Sequence, residues 1–187
     1  MSQTLRFHDC PSIGLSPSFV RQEWPLPEIL KIKNFHQVND WLYRSGQPQP
    51  EEFVEIENFG IKSIVSLRWS SDIIRKERKL VESTKMNLYC IPLSYWILPT
   101  RKEIDKFLSI VDEKANHPIL VHCFHGSDRT GMFIAMYRMA REGWSADAAY
   151  EEMKSCGFHR LRMRQFKWAI YSFAERLERA RRRRSPS

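Results

Sequence analysis

The stretch His122-Cys123-Phe124-His125-Gly126-Ser127-Asp128-Arg129-Thr130-Gly131 sets a cysteine and an arginine six positions apart. It follows Pro118-Ile119-Leu120-Val121, an apolar run that reads as a short buried strand, and precedes Met132 to Tyr137, which reads as the start of a helix. A loop between a strand end and a helix N-terminus is an anion cradle, because several backbone N–H groups point inward without a partner and the helix dipole adds positive potential. Gly126 lets the chain curl tightly around an oxyanion, and Arg129 can add two parallel charge-assisted hydrogen bonds. Phe124, His125, Ser127 and Thr130 fill the rest of the candidate cradle. A thiol facing a helix N-terminus and an arginine is favoured as the thiolate, the nucleophilic form of cysteine. The chemistry expected is attack by Cys123 on a bound phosphoryl group.

Two other readings of these residues explain less. A buried structural cysteine would account for neither the glycine nor the arginine at this spacing. A zinc site from His122, Cys123 and His125 would need neighbouring residues to chelate one ion, and no spaced Cys or His pair completes four ligands. No metal and no cofactor are expected.

The pattern of His-Cys, five residues, Arg, then Ser or Thr resembles the signature of the cysteine-dependent protein-tyrosine-phosphatase superfamily, and residues 122–131 match it in full. Leu42-Tyr43-Arg44-Ser45-Gly46-Gln47-Pro48 is similar to the opening strand of the bacterial dual-specificity-phosphatase-like branch. Tyr137-Arg138 and Glu151-Glu152-Met153 extend the likeness, so that residues 35 to 160 are covered. The resemblance implies a two-step phosphoryl transfer through a cysteinyl-phosphate. Thr130 would donate a hydrogen bond to the sulfur as it leaves, and His122 would orient the loop.

In the resembled family the proton for the leaving group usually comes from an aspartate on the loop after the third strand. Here that loop reads Ser94-Tyr95-Trp96-Ile97-Leu98-Pro99 and contains no acid. Asp128 is the leading replacement, since a carboxyl beside the substrate phosphate is expected to hold its proton. Asp72 is the reserve candidate, although an aspartate at a helix start commonly serves as a cap.

The substrate class expected first is a phosphorylated protein, with a tyrosine- or dual-specificity-type activity. The alternative is an inositol polyphosphate or phosphoinositide, because the usual acid loop is missing and His125, Lys154, His159 and Arg160 offer further polar and cationic contacts. His159 and Arg160 read equally well as plain surface residues. A third reading is an RNA 5′-triphosphatase, which Cys-x-His-Gly resembles, although that branch carries asparagine where Asp128 stands. A phosphate-binding module without turnover would not need both Cys123 and Arg129.

The elements that must position this loop are legible from their periodicity. Trp41 to Arg44 reads as a short strand closed by Ser45-Gly46-Gln47-Pro48, and Pro50 opens a helix with Phe53, Ile56 and Phe59 on one face. Ile61 to Leu67 is the second strand, followed by a charged helix from Asp72 to Lys85, and Met86 to Leu93 supplies the third. Thr100 and Glu103 form a capping box for a helix whose buried face carries Ile104, Phe107, Leu108 and Val111. Beyond the loop, helices are expected from Thr130 to Glu142, from Ser145 to Gly157 and from Arg162 to Arg179.

Strands alternating with helices imply an α/β fold, with a mostly parallel four- to five-stranded central sheet flanked by helices on both faces. Ligands bind such sheets at the carboxyl ends of the strands. Those ends bring Arg44 and Arg68 to the rim as further candidate substrate contacts.

The chain of 187 residues suits one domain, with 42% hydrophobic residues and no run of membrane-span length. Residues 1–34, with Pro11, Pro17, Pro25 and Pro27, read as an extended arm packed on the body. Residues 35–178 read as the phosphatase domain, and residues 179–187 as a basic disordered tail. The formal charge of +8 includes five arginines at 179–187, so the body is only mildly basic and nucleic acid is a possible but not favoured partner. Met1 to Cys10 lack signal-peptide character, and the four cysteines show no paired spacing. A reduced, cytoplasmic setting is therefore expected. The oligomeric state is not legible.

Overall fold

In the computed structural model, residues 30–184 are described. Five short strands form one sheet: β1 (His36–Asn39), β2 (Leu42–Ser45), β3 (Ser63–Ser66), β4 (Asn87–Cys90) and β5 (Ile119–His122). Their order is β1-β2-β5-β3-β4, with β1 antiparallel to β2 and every other pairing parallel. The central strand β5 sets Ile119 against Leu42 on one side and Ser63 on the other, and His122 against Ser45 and Ser66. The carboxyl ends of β2, β3 and β5 therefore finish level at one edge, where the Cys123 loop begins. Side chains alternate along a strand, and β5 uses this: Ile119 and Val121 enter the larger core while Leu120 enters the smaller one.

The smaller core lies under α1 (Glu52–Asn58) and α2 (Ser71–Glu82), where Phe53, Ile56 and Val81 meet Ile64 and Leu120. The larger core lies under α3 (Arg101–Asp112), α4 (Asp128–Arg141), α5 (Ala146–Ser155) and α6 (Arg164–Arg184). The capping box of α3 is present, with Thr100 accepting from the Glu103 backbone N–H and the Glu103 carboxylate accepting from the Thr100 backbone N–H. Helix α4 is buried from Asp128 through Met139. A helix apolar around most of its circumference has to sit in the interior, and α4 does so between the sheet and its neighbours, with Phe133 edge-on to Phe107 at 4.9 Å. The helix that begins at the loop after β5 is thus held along most of its length.

The arm expected at 1–34 lies outside the described residues up to position 29; of its last residues, Leu30 and Ile32 pack into the smaller core. At the other end α6 continues to Arg184, so residues 179–184 are helical rather than a frayed tail, because arginine is a good helix former and no breaker precedes Pro186. The edge strand β1 was not expected. Its residues His36-Gln37-Val38-Asn39 lack the β-branched run that marks strands, and only Val38 is buried.

Candidate active site

The loop after β5 is held from outside by its carbonyl oxygens. His122 Nδ1 meets the Cys123 carbonyl at 3.2 Å, the Gln47 N–H donates to Phe124 at 3.1 Å, Asn34 Nδ2 donates to His125 at 3.3 Å, and an Arg44 guanidinium nitrogen donates to Gly126 at 2.7 Å. In a trans peptide the C=O of one residue and the N–H of the next point opposite ways. With these four carbonyls turned outward, the N–H groups of Phe124, His125, Gly126 and Ser127 face the interior of the loop. The Gly126 N–H points at Cys123 Sγ, 3.3 Å away. The sulfur therefore lies on the floor of a ring of amide donors at the N-terminus of α4.

Glycine is required at 126 for two reasons. Its φ is +77°, and a Cβ there would lie 2.5 Å from the Gly46 nitrogen and the Ser45 carbonyl carbon. The turn residues Ser45-Gly46 are thus the wall against which the loop is pressed.

Cys123 is 1% exposed and Arg129 is buried beside it. One terminal nitrogen of Arg129 donates to the carbonyls of Leu67 and Leu93, each at 3.1 Å, just beyond β3 and β4. That anchorage fixes the guanidinium plane, while Nε is buried without a protein partner. Ser127 Oγ, Thr130 Oγ1 and Arg68 Nε are likewise buried and unpartnered. Buried polar groups are normally satisfied, so orphaned donors around one thiol mark a site built for a polar, anionic guest. Arg68 lies 4.8 Å from the Phe124 ring. Burial and the nearby Arg129 push its guanidinium down from the ordinary value, against the pull of Cys123 and Glu77.

Arg44 has a different place from the one expected. It is 2% exposed, beneath the loop rather than on its rim, and its guanidinium holds the Gly126 carbonyl. Asp128 is brought to the loop but does not stand free. Its side chain accepts from the His159 backbone N–H at 3.0 Å and lies 3.0 and 3.1 Å from His159 Nδ1. The carboxylate is 3% exposed, whereas the His159 side chain is 48% exposed and its ring lies 5.6 Å from that of His125. Burial and the Lys33 charge push the His125 imidazole down from its usual value. Asp72 sits in the exposed first turn of α2, ion-paired with Arg75. Lys154 is tied to Glu151 on α5, and Arg160 is exposed on the loop before α6.

Beneath the loop, His122 is fully buried and its Nε2 meets Glu77 Oε1 at 2.5 Å, while Ser66 Oγ donates to Glu77 Oε2 at 2.7 Å. Burial alone would raise the Glu77 carboxyl, but the His122 charge and the hydrogen bonds from His122 and Ser66 outweigh it and leave the group lowered. Sequence reasoning passed over Glu77, yet it lies four residues after Ile73 and four before Val81, on the apolar stripe of its helix. His159 carried no such signal. It is 31 positions from Asp128, and only the packing of α5 and α6 on α4 brings the two together. The Leu67 and Leu93 carbonyls were equally hidden, because backbone groups leave no trace in residue types.

A groove of about 510 Å³ runs between α3 and α6, lined by residues including Ile104, Phe173 and Leu177. No residue of the Cys123 loop lines it. Orphaned donors and a thiol, not cavity size, mark the chemical centre.

A mostly parallel sheet whose central strand leads into a thiol, ringed by inward amides and a locked guanidinium, forms a cysteine-centred cradle suited to a phosphoanion. The chain belongs to the tyrosine phosphatase family, whose family model matches residues 29–181. It is 28% identical over 125 residues to the dual specificity protein phosphatase TpbA of Pseudomonas aeruginosa, covering 67% of this chain and 55% of that protein. To the inositol diphosphatase SIW14 of Saccharomyces cerevisiae it is 30% identical over 141 residues, 72% of this chain and 49% of the relative. The inositol diphosphatase DSP3 of Arabidopsis thaliana is 31% identical over 124 residues, 64% of this chain and 60% of its own length. The chain thus spans about half to three-fifths of these relatives. The crystal structure of P. aeruginosa TpbA superposes with a TM-score of 0.63 at 25% identity, over 75% of this chain and 84% of that one. The core catalytic domain of the PP-IP phosphatase SIW14 gives 0.65 at 27% identity, over 78% and 88%. The fold expected from sequence is therefore the one observed, with the strand count at the upper end of the expected range.

Proposed function

We propose that this protein hydrolyses phosphomonoesters through a cysteinyl-phosphate. The observation that carries the reading is the buried Cys123 sulfur beneath the Gly126 N–H, with Arg129 locked by Leu67 and Leu93 beside it. The amides of residues 124–127 and the Arg129 guanidinium would hold the equatorial phosphoryl oxygens, so that Cys123 approaches phosphorus in line with the leaving oxygen. The S–P bond forms as the P–O ester bond breaks, and the departing oxygen takes a proton. Water then attacks phosphorus, the S–P bond breaks, and phosphate and the thiolate are released. Thr130 Oγ1, buried and unpartnered at the start of α4, can donate to the sulfur as it leaves.

The proton donor in this reading is the Asp128–His159 pair rather than Asp128 alone. Asp128 is almost fully covered and accepts from His159, so the half-exposed ring is the part of the pair that reaches the mouth. Asp128 is then the positioning group and His159 the group that passes the proton out and takes it back from the attacking water. Arg44 acts through the loop, by holding Gly126, and Arg68 faces the phosphoryl group from the β3 side.

The relatives' names divide between a dual specificity protein phosphatase and inositol diphosphatases, and the cradle accepts the phosphoryl group of either. The cationic rim of Arg68, Arg160 and Arg162 favours substrates with more than one negative charge. A reduced, cytoplasmic setting suits a mechanism that depends on a free thiolate. The test is a phosphate-release panel of phosphopeptides, inositol phosphates, phosphoinositides and triphosphorylated RNA. Release from at least one substrate class by the wild type, and none by Cys123→Ser, is expected. Equal release by both proteins would remove Cys123 from the reaction.

A further inference from the structure

Eight large hydrophobic side chains are exposed among the described residues, and six of them stand on the loops around the Cys123 mouth: Trp69, Trp96, Ile97, Leu98, Phe124 and Leu161. Their exposure runs from 37% at Leu98 to 86% at Leu161. The loops converge on one mouth. Arg68, next to Trp69, lies 4.8 Å from the Phe124 ring; Tyr95 is edge-on to Trp96 at 5.2 Å; and Arg129 and Arg162 both lie 5.8 Å from the Tyr95 ring. The four segments 67–70, 91–100, 123–127 and 156–163 contain Arg68, Arg160 and Arg162 and not one carboxylate. Folding leaves these tips largely in water, and none of them belongs to either hydrophobic core.

We propose that this ring docks on an anionic phospholipid bilayer and that the substrate is a membrane lipid with a phosphomonoester headgroup. The substrate class rests on the phosphatase reading above; the docking surface does not. Apolar tips spread over four loops suit a fluid lipid interface, which receives each loop independently, whereas a folded partner would need a matching pocket for each. Tryptophan is favoured at the headgroup level, and apolar tips interleaved with arginine and free of acid match an anionic membrane surface. The thiol lies sunk within the same ring, so a headgroup phosphate projecting from the membrane plane would enter the cradle as the tips insert.

The experiment is co-sedimentation of the full chain with vesicles of phosphatidylcholine alone and of phosphatidylcholine mixed with phosphatidylserine. The wild type is compared with Ile97→Glu/Leu161→Glu, both residues outside the catalytic machinery. The wild type should sediment with the anionic vesicles, and the double variant should bind them about a hundredfold more weakly, since each lost apolar insertion removes roughly a factor of ten. Both should hydrolyse a soluble aryl phosphate at the same rate. A wild type that stays in solution with both vesicle types overturns the proposal, and so does a double variant that sediments equally well, which would leave the binding to the α6 arginines. If vesicles go unbound while turnover of a phosphopeptide falls in the double variant, the ring serves a protein partner instead. Vesicle binding without any phosphate release from a soluble ester would keep the docking surface and sink the phosphatase reading.

Discussion

In the proposed reaction Asp128 and His159 divide one task between a covered carboxylate and a half-exposed ring. If the ring delivers the proton, the demand for it depends on the leaving group. Asp128→Asn and His159→Gln should each lower turnover of an alkyl phosphate by about a hundredfold or more, in line with the usual contribution of general acid catalysis. An activated aryl phosphate, whose leaving oxygen needs little protonation, should be hydrolysed at a nearly unchanged rate. Asp72→Asn should alter neither, because Asp72 is exposed and paired with Arg75 on the first turn of α2. Equal losses on both esters would reduce the pair to a brace between the loop and the segment before α6. A steady-state comparison of the three variants on the two esters decides the matter. At this scale the sequence was readable where a motif concentrates chemistry, as from Cys123 to Thr130. It was silent on His159, whose partner is supplied by packing.

The Cys123 loop is an element in its own right, pinned by carbonyls on its outer side and pressed against the β2 turn. Gly126→Ala would set a Cβ against the Ser45 and Gly46 backbone, which has no slack because the Gly46 N–H is itself bound to Lys33 at 2.7 Å. The variant is expected to lose about 1–3 kcal/mol of stability from backbone strain and, with its amides displaced, the protection that phosphate gives Cys123 against alkylation. Gly60→Ala is the matched control. Its φ is also positive, at +98°, but nothing lies within 4 Å of a Cβ there, so only a modest loss of stability and no loss of protection should follow. Thermal melts and iodoacetamide labelling with and without phosphate measure both effects; equal behaviour of the two variants would contradict the account. The helices were readable from periodicity and caps, as with Thr100 and Glu103. The edge strand β1 was not, because polar residues at the sheet margin pair through their backbones.

Across the whole molecule, the buried Glu77–His122 contact links α2 to the floor of the active site. Glu77 is lowered from its ordinary 4.5. The native state therefore binds fewer protons than the unfolded chain between the lowered value and 4.5, so stability rises with pH across that window. The contribution is complete above about pH 4.5 and is lost as the pH falls through the folded value. Melting temperature should accordingly drop on the acid side more steeply for the wild type than for Glu77→Gln, which has no proton to take up there. A Glu77→Gln profile parallel to that of the wild type would show that the carboxylate does not govern acid stability. This linkage was half legible. The position of Glu77 on an apolar stripe was in the sequence, whereas its partner at the end of β5 depended on how the sheet is ordered. The same holds at the N-terminal margin, where Leu30 and Ile32 pack into the smaller core and Asn34, at φ +55°, reaches the His125 carbonyl.

The proposed reaction passes through a covalent bond between Cys123 and phosphorus. Acid quench of the protein during turnover of an aryl phosphate, followed by mass analysis of its peptides, looks for that bond directly. A phosphoryl adduct on the peptide containing Cys123, absent from Cys123→Ser and accumulating further in variants slowed in the second step, is the predicted result. Phosphate release at full rate with no adduct on that peptide would contradict it.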